Sequence, residues 1–226
     1  MKNYPIHERL LVGALLAMAA GGLDAYTYLQ HGEVFAGLQT GNFILLGIHL
    51  TKDGFGGVLH YLVPIFSFAL GTILIRILQQ RFEKNESLKN RQLFVLGWEI
   101  LLIWLTALVA PLVPDMLASA MVSLAAAAQL QEFRKLKGGP FTSLMMTGNL
   151  RTLAESYWNA LSGGDRTALK KGNDTLAIIA AFVFGAALTG NLVGHFGDRT
   201  VVISSLFLLV AVGIILLDHR KKAAVK

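Results

Sequence analysis

Thr40-Gly41-Asn42 recurs as Thr147-Gly148-Asn149, and each copy closes a long, mainly apolar stretch. Residues 15–42 and 122–149 overlay without a gap. Ala20 falls on Ala127, Leu23 on Leu130, Asp24 on Gln131, Tyr26 on Phe133, Leu29 on Leu136 and Gly32 on Gly139. A second match lies downstream, Phe68-x-x-Gly71 against Phe182-x-x-Gly185. The chain is therefore read as one domain over residues 1–226 built by duplication: a first repeat at 9–113, a second at 115–217, and a basic tail at 218–226.

The apolar runs decide the solvent. Hydrophobic residues make up 54% of the 226-residue chain, charged residues only 15%, and the mean hydropathy is +0.56. Several runs reach about 20 residues, enough to cross roughly 30 Å of hydrocarbon. This is the pattern of an all-α, polytopic integral membrane protein. The net charge of +6 then marks loops that stay in the cytoplasm rather than a nucleic-acid surface. With no cysteine, disulfide and thiol chemistry are excluded, and no metal or other cofactor is expected. The Lys2/Arg9 start imitates a secretory signal. Its apolar run continues through Asp24 into the first repeat, so it is read as a span.

Six spans are expected, at about 9–29, 58–79, 92–113, 115–133, 174–194 and 199–217. Residues 52–57 read as a glycine-rich turn, 81–91 as a polar loop and 134–139 as a basic connector. Residues 150–161 place Leu150, Leu153, Ala154, Tyr157, Trp158 and Leu161 on one helical stripe. That stripe suits a helix in the membrane interface or one packed on the protein's own surface. If neither Thr-Gly-Asn segment crosses and the N-terminus is inside, all Lys and Arg but Lys52 and Arg199 fall on the cytoplasmic side. Both termini are then cytoplasmic and the protein sits in the inner membrane. Three spans per half is an odd number, so the second half enters upside down. Two inverted three-helix repeats follow, each with a broken or re-entrant Thr-Gly-Asn element. Transporters of that build hold their sites near the midplane, at discontinuous helices. Residues 34–50 are also apolar enough to cross, which would spoil the symmetry.

Non-helical backbone is tolerated at membrane depth only where it is buried in protein or lines a cavity. In each tripeptide Gly41 or Gly148 would allow a break, and Thr40, Asn42, Thr147 and Asn149 would supply groups to satisfy freed backbone or a ligand. Helix capping by the same residues is the plainer alternative. Asp24, Glu99, Gln129, Gln131 and Glu132 lie in or near spans, where a charge costs at least about 2.5–3.5 kcal/mol, so Asp24 and Glu99 are candidate proton or cation groups. Glu132 beside Arg134 and Lys135 reads as an interface residue. The six histidines form no metal-binding pair, and no nucleophile–base set or nucleotide loop is visible, so no enzyme is expected.

Gly22-Leu-Asp24-Ala, Gly37-Leu-Gln39-Thr-Gly-Asn42, Phe68-x-x-Gly71, Glu99-Ile-Leu and Thr142-x-x-x-Met-Thr-Gly-Asn149 resemble the YoaK-like family of small bacterial polytopic membrane proteins, over about residues 9–217. In that family the first copy commonly ends Met-Thr-Gly-Asn, where this chain has Gln39, and the second has a Gln-Asn-Ala core, where it has Gln129-Leu-Gln131-Glu132. The resemblance implies a membrane protein and supplies no substrate. The function expected is a secondary transporter or channel-like permease for a small solute or ion. Its central site would draw on Asp24, Gln39, Thr40, Gly41, Asn42, Glu99, Gln129, Gln131, Thr147, Gly148 and Asn149. The competing expectation is a non-transporting membrane protein that binds a lipid or partner subunit. The bilayer is a partner in either case, a homo-oligomer is possible, and nucleic acid is not expected.

Overall fold

The computed structural model describes residues 4–52, 54–84 and 91–224. Lys2, Asp53, Lys89 and Lys226, and most of the loop expected at 81–91, lie outside the described residues. A short 3₁₀ turn at Ile6–Glu8 leads into α1 (Leu10–Gln30), which stops where Gly32 and Glu33 take φ values of 70° and 61°. After a non-helical loop come α2 (Gln39–His49) and α3 (Gly54–Lys84), the latter with Pro64 inside it. α4 (Arg91–Val109) decays into a 3₁₀ turn at Ala110–Leu112, because Pro111 and Pro114 cannot continue an α-helical ladder. α5 (Asp115–Glu132) is followed by a two-stranded antiparallel hairpin, β1 (Lys135–Leu136) with β2 (Gly139–Pro140). Then come α6 (Met146–Gly163), α7 (Arg166–Phe196) and, past a 3₁₀ turn at Gly197–Val201, α8 (Val202–Ala224).

Among the described residues, four stretches are long and apolar enough to cross a membrane: Leu10–Gln30, Gly56–Phe82, Arg91–Leu112 and Arg166–Lys222. The last contains both α7 and α8. The alanine-rich α5 is not among them and is enclosed by protein, with Ala118, Val122 and Ala125–Ala128 all buried. α7 is longer than its apolar run because Asp165 caps it, accepting from the amides of Thr167 and Ala168, so its first turns project as polar helix. Hydropathy marks hydrocarbon, not helix length. The turn expected at 52–57 is correspondingly shorter, since α3 begins at Gly54. The basic tail continues α8 as helix to Ala224.

The helices alternate between two ends. At the basic end, the Lys137 amide donates to the Glu8 carbonyl (2.7 Å), Lys137 pairs with Asp174 (2.6 Å) and Arg91 with Glu132 (2.8 Å). At the other end, His31 meets Asp115 at 3.0 Å and Asp198 at 3.6 Å, and His60 meets the Gly32 carbonyl at 2.9 Å. Packing crosses between the two halves. α1 lies along α7, and α5 along α3; α1 touches α8, and α5 touches α4. The matched motifs make these contacts. A Cβ at Gly185 would collide with the Met18 carbonyl on α1. One at Gly71 would sit 2.9 Å from the Ala127 Cβ and 3.1 Å from the Leu124 carbonyl on α5. Small residues here let backbones approach, the main source of helix affinity where lipid removes the hydrophobic drive.

Candidate functional site: two loops that meet inside the bundle

The first loop, residues 31–38, is held from both sides. Asp24, buried in α1, accepts from the amide of Gly37 (2.6 Å) and more weakly from that of Leu38 (3.4 Å). Asn42, fully buried, accepts from the Phe35 amide (2.9 Å) and donates to the Phe35 carbonyl (2.8 Å) and to Gln39 Oε1 (2.9 Å). Gln39 donates in turn to the Ala36 carbonyl (2.9 Å). The loop's freed backbone is thus satisfied by side chains, as burial in a membrane protein demands.

The second loop repeats half of this. Asn149 donates to the carbonyl of Thr142 (3.0 Å) and approaches the Met146 sulfur (3.6 Å). In the gapless overlay Thr142 and Met146 are the counterparts of Phe35 and Gln39. The Met145 amide, counterpart of Leu38, is served by the Thr142 hydroxyl (3.1 Å) instead of a carboxylate. Gln131 stands where Asp24 does, yet it turns away, donating to Gln79 of α3 (3.1 Å). Gln129, two residues earlier, takes the central position. It is fully buried and donates to the Ser143 hydroxyl (2.6 Å) and the Leu16 carbonyl of α1 (3.1 Å).

The two loops come from opposite ends and touch in the interior. A Cβ built on Gly37 would run into the Leu144 side chain and lie 3.5 Å from Asp24 Oδ1, and Gly37 and Leu144 are themselves counterparts in the overlay. Asp24, Gln39, Asn42, Gln129 and Asn149 therefore hold or flank this meeting point. Six expected site residues do not: Gln131, turned to Gln79, and Glu99, on α4, are joined by four tripeptide residues. Thr40, Thr147 and Gly148 are exposed, and Gly41 is only half-buried, against Phe35. The tripeptides are not the breaks. Both sit in the first turn of a helix whose N-cap residue, Leu38 or Met145, makes no side-chain cap bond, so the capping alternative fails as well. The breaks lie earlier, at Gly32/Glu33 and Lys137/Gly138, which take positive φ.

Glu99 is fully buried on the α4 face that packs against α5 and α8, and neither carboxyl oxygen has a hydrogen-bond partner among the described residues. The same holds for Gln129 Oε1 and the hydroxyls of Ser119, Ser123, Thr189 and Ser204. Thr189 and Ser204 converge on Gly22 of α1, within 2.9 Å and 2.5 Å of where its Cβ would be. Buried polar atoms are normally satisfied, so these groups keep unused hydrogen-bonding capacity inside the bundle. Glu132, at the basic end of α5, is enclosed by protein. Its side chain is fully buried, receiving bonds from Arg91, Gln79 (2.9 Å) and Gln92 (3.1 Å), which ties α3, α4 and α5 together. Nearby, burial pushes the His7 imidazole below its usual range.

The sequence reading missed the cluster at the opposite end. His31 Nδ1 donates to Asp115 (3.0 Å), its Nε2 meets the Tyr26 hydroxyl (2.8 Å), and Tyr26 donates to Asp198 (3.4 Å). It closes the ends of α1, α5 and α7 over the core. A histidine one residue past a span and an aspartate opening the next repeat were the available signals. The ends differ in openness. At the basic end a cavity of 1220 Å³ separates the first turns of α1 and α7, bounded by the hairpin and Asn149. α6 packs along α7 through Ser156 and Tyr157 at Gly172, while Leu150, Trp158 and Leu161 remain exposed. Part of the 150–161 stripe thus packs on the protein's own surface.

Residues 12–214 match the family model described as protein of unknown function (DUF1275). The chain is 27% identical over 145 residues to the UPF0700 transmembrane protein YoaK of Bacillus subtilis (strain 168); the match covers 63% of this chain and 64% of that relative. No solved structure matches. With a family model spanning most of its length, long apolar helices and a transmembrane relative, this chain is a multi-pass membrane protein of the DUF1275 family.

Proposed function

We propose that the protein is a permease, a secondary transporter or channel-like pathway for a small solute or ion, in the cytoplasmic membrane. The observation that supports this best is the contact of two non-helical loops, entering from opposite ends, at Gly37 and Leu144. Irregular backbone is costly at membrane depth and recurs where a substrate is held. On this reading α1, α3 and α4 form one half and α5, α7 and α8 the inverted other, with both termini at the basic, cytoplasmic end. α2 and α6 accompany the loops without crossing. Asp24 fixes the first loop, Gln129 and Ser143 offer polar groups at the meeting point, and Glu99 is the candidate proton carrier. On the same reading the cavity beside Asn149 is the opening toward the cytoplasm, and His31 and His60 lie at the closed far side.

Flux in proteoliposomes tests it. Gln129→Leu and Glu99→Gln remove polar groups without touching the loop anchor. Each should cut uptake at least about tenfold while elution and melting midpoint stay near wild type; Asp24→Asn should abolish it. Topology is tested separately with single cysteines at Lys52, Gly163 and His219, of which only the first should react with an impermeant reagent from outside. A second reading, a non-transporting protein that binds lipid, draws on the exposed Phe43, Ile44 and Ile48 of α2 and Leu150, Trp158 and Leu161 of α6. No flux across a broad solute panel, with and without a proton gradient, would favour it.

A further inference from the structure

The cavity at the basic end has two unlike walls. One is cationic: Arg166, Lys170 and Lys171, on the first turns of α7. Neighbouring acids do not neutralise it. Asp174 is taken by Lys137 at 2.6 Å, and Asp165 is spent capping α7, accepting from Thr167 and Ala168. Among the described residues, none of Arg166, Lys170 and Lys171 is in an ion pair. The other wall is apolar, formed by Leu10, Leu136 and Ile178. Arg166 and Lys170 are one helical turn apart, about 5–6 Å between Cβ atoms, a span that phosphate oxygens can bridge. The space, 1220 Å³ and half open to the outside, is larger than an inorganic ion needs.

We propose that this cavity binds an amphiphilic anion, its phosphate-type head on Arg166, Lys170 and Lys171 and its apolar body against Leu10, Leu136 and Ile178. The head can come from a soluble organic phosphate or from an anionic phospholipid at the membrane surface. As a solute class for the permease the inference rests on that reading. Binding is measured at equilibrium, so lost binding sinks this inference alone, and lost flux with binding intact sinks the permease.

The test is the melting midpoint of the full-length protein in a neutral detergent, titrated with hexyl phosphate, with hexanol and inorganic phosphate as controls. The midpoint should rise saturably with hexyl phosphate, at higher concentration with inorganic phosphate, and not with hexanol. The triple variant Arg166→Gln/Lys170→Gln/Lys171→Gln should raise the half-saturating concentration at least about tenfold, a change of about 1.4 kcal/mol. Lys170→Arg should keep the response, which separates lost charge from lost fold. Repeating the titration in nanodiscs identifies the source. A response abolished by phosphatidylglycerol but not phosphatidylcholine assigns the site to the headgroup; one that survives both assigns it to a soluble anion. No saturable response in the wild type, an equal response to hexanol, or an unchanged response in the triple variant overturns the proposal.

Discussion

The two loops match in sequence, yet they are held differently. In the first, a buried carboxylate and a fully bonded asparagine hold five backbone groups or side-chain partners in place. In the second, Asn149 makes one backbone bond, Gln131 has left for Gln79, and a 1220 Å³ cavity lies alongside. A duplicated element can thus keep its path through the bundle while its anchoring is reassigned. The first copy is held by side chains of its own repeat, and the second by the bonds of Lys137 to Glu8 and Asp174 and of Gln129 to Ser143.

The helix contacts should show the largest contrast. Gly185→Ala drives a methyl into the Met18 carbonyl, backbone that cannot step aside, whereas Gly71→Ala meets Ala127 and Leu124 at 2.9–3.1 Å. Gly185→Ala should cost more than about 3 kcal/mol and Gly71→Ala about 1–3, read as melting midpoints in detergent. Next come the anchors. Asp24→Ala strips two amides of their acceptor and should cost about 2–3 kcal/mol, while Gln131→Ala should cost about 1 or less; equal losses would erase the contrast between the loops. Asn42→Ala should likewise exceed Asn149→Ala by about 1 kcal/mol, and faster amide exchange at Phe35 in the first variant would localise the effect. The smallest effect is expected at Thr40→Val and Thr147→Val. Both residues are exposed, and each change should stay within about 0.5 kcal/mol.

The sequence overlay carries over to the bonding of the two asparagines. Asn42 bonds Phe35 and Gln39, and Asn149 bonds their overlay counterparts Thr142 and Met146. Phe-x-x-Gly71 and Phe-x-x-Gly185 mark matching helix contacts because a backbone approach needs a missing side chain, a requirement written directly into residue type. The position of the breaks was not legible. Gly41 and Gly148 looked suited to positive φ, but glycine permits that conformation without requiring it, and Gly32 and Gly138 use it instead. Nor could the overlay show that Gln131 would leave the loop, since its competitor Gln79 lies on a different helix and becomes a neighbour only on folding. The pairing of Glu132 was hidden for the same reason: its partner Arg91 is distant in sequence.

The account stands on the loops meeting in the interior, and a cysteine-free chain allows that to be tested directly. Gly37→Cys paired with Leu144→Cys should form an intramolecular disulfide under mild oxidation in native membranes, seen as lost reactivity to a maleimide–polymer tag. Thr40→Cys paired with Thr147→Cys should stay reactive. Free thiols in the first pair, or rapid closure of the second, would contradict it.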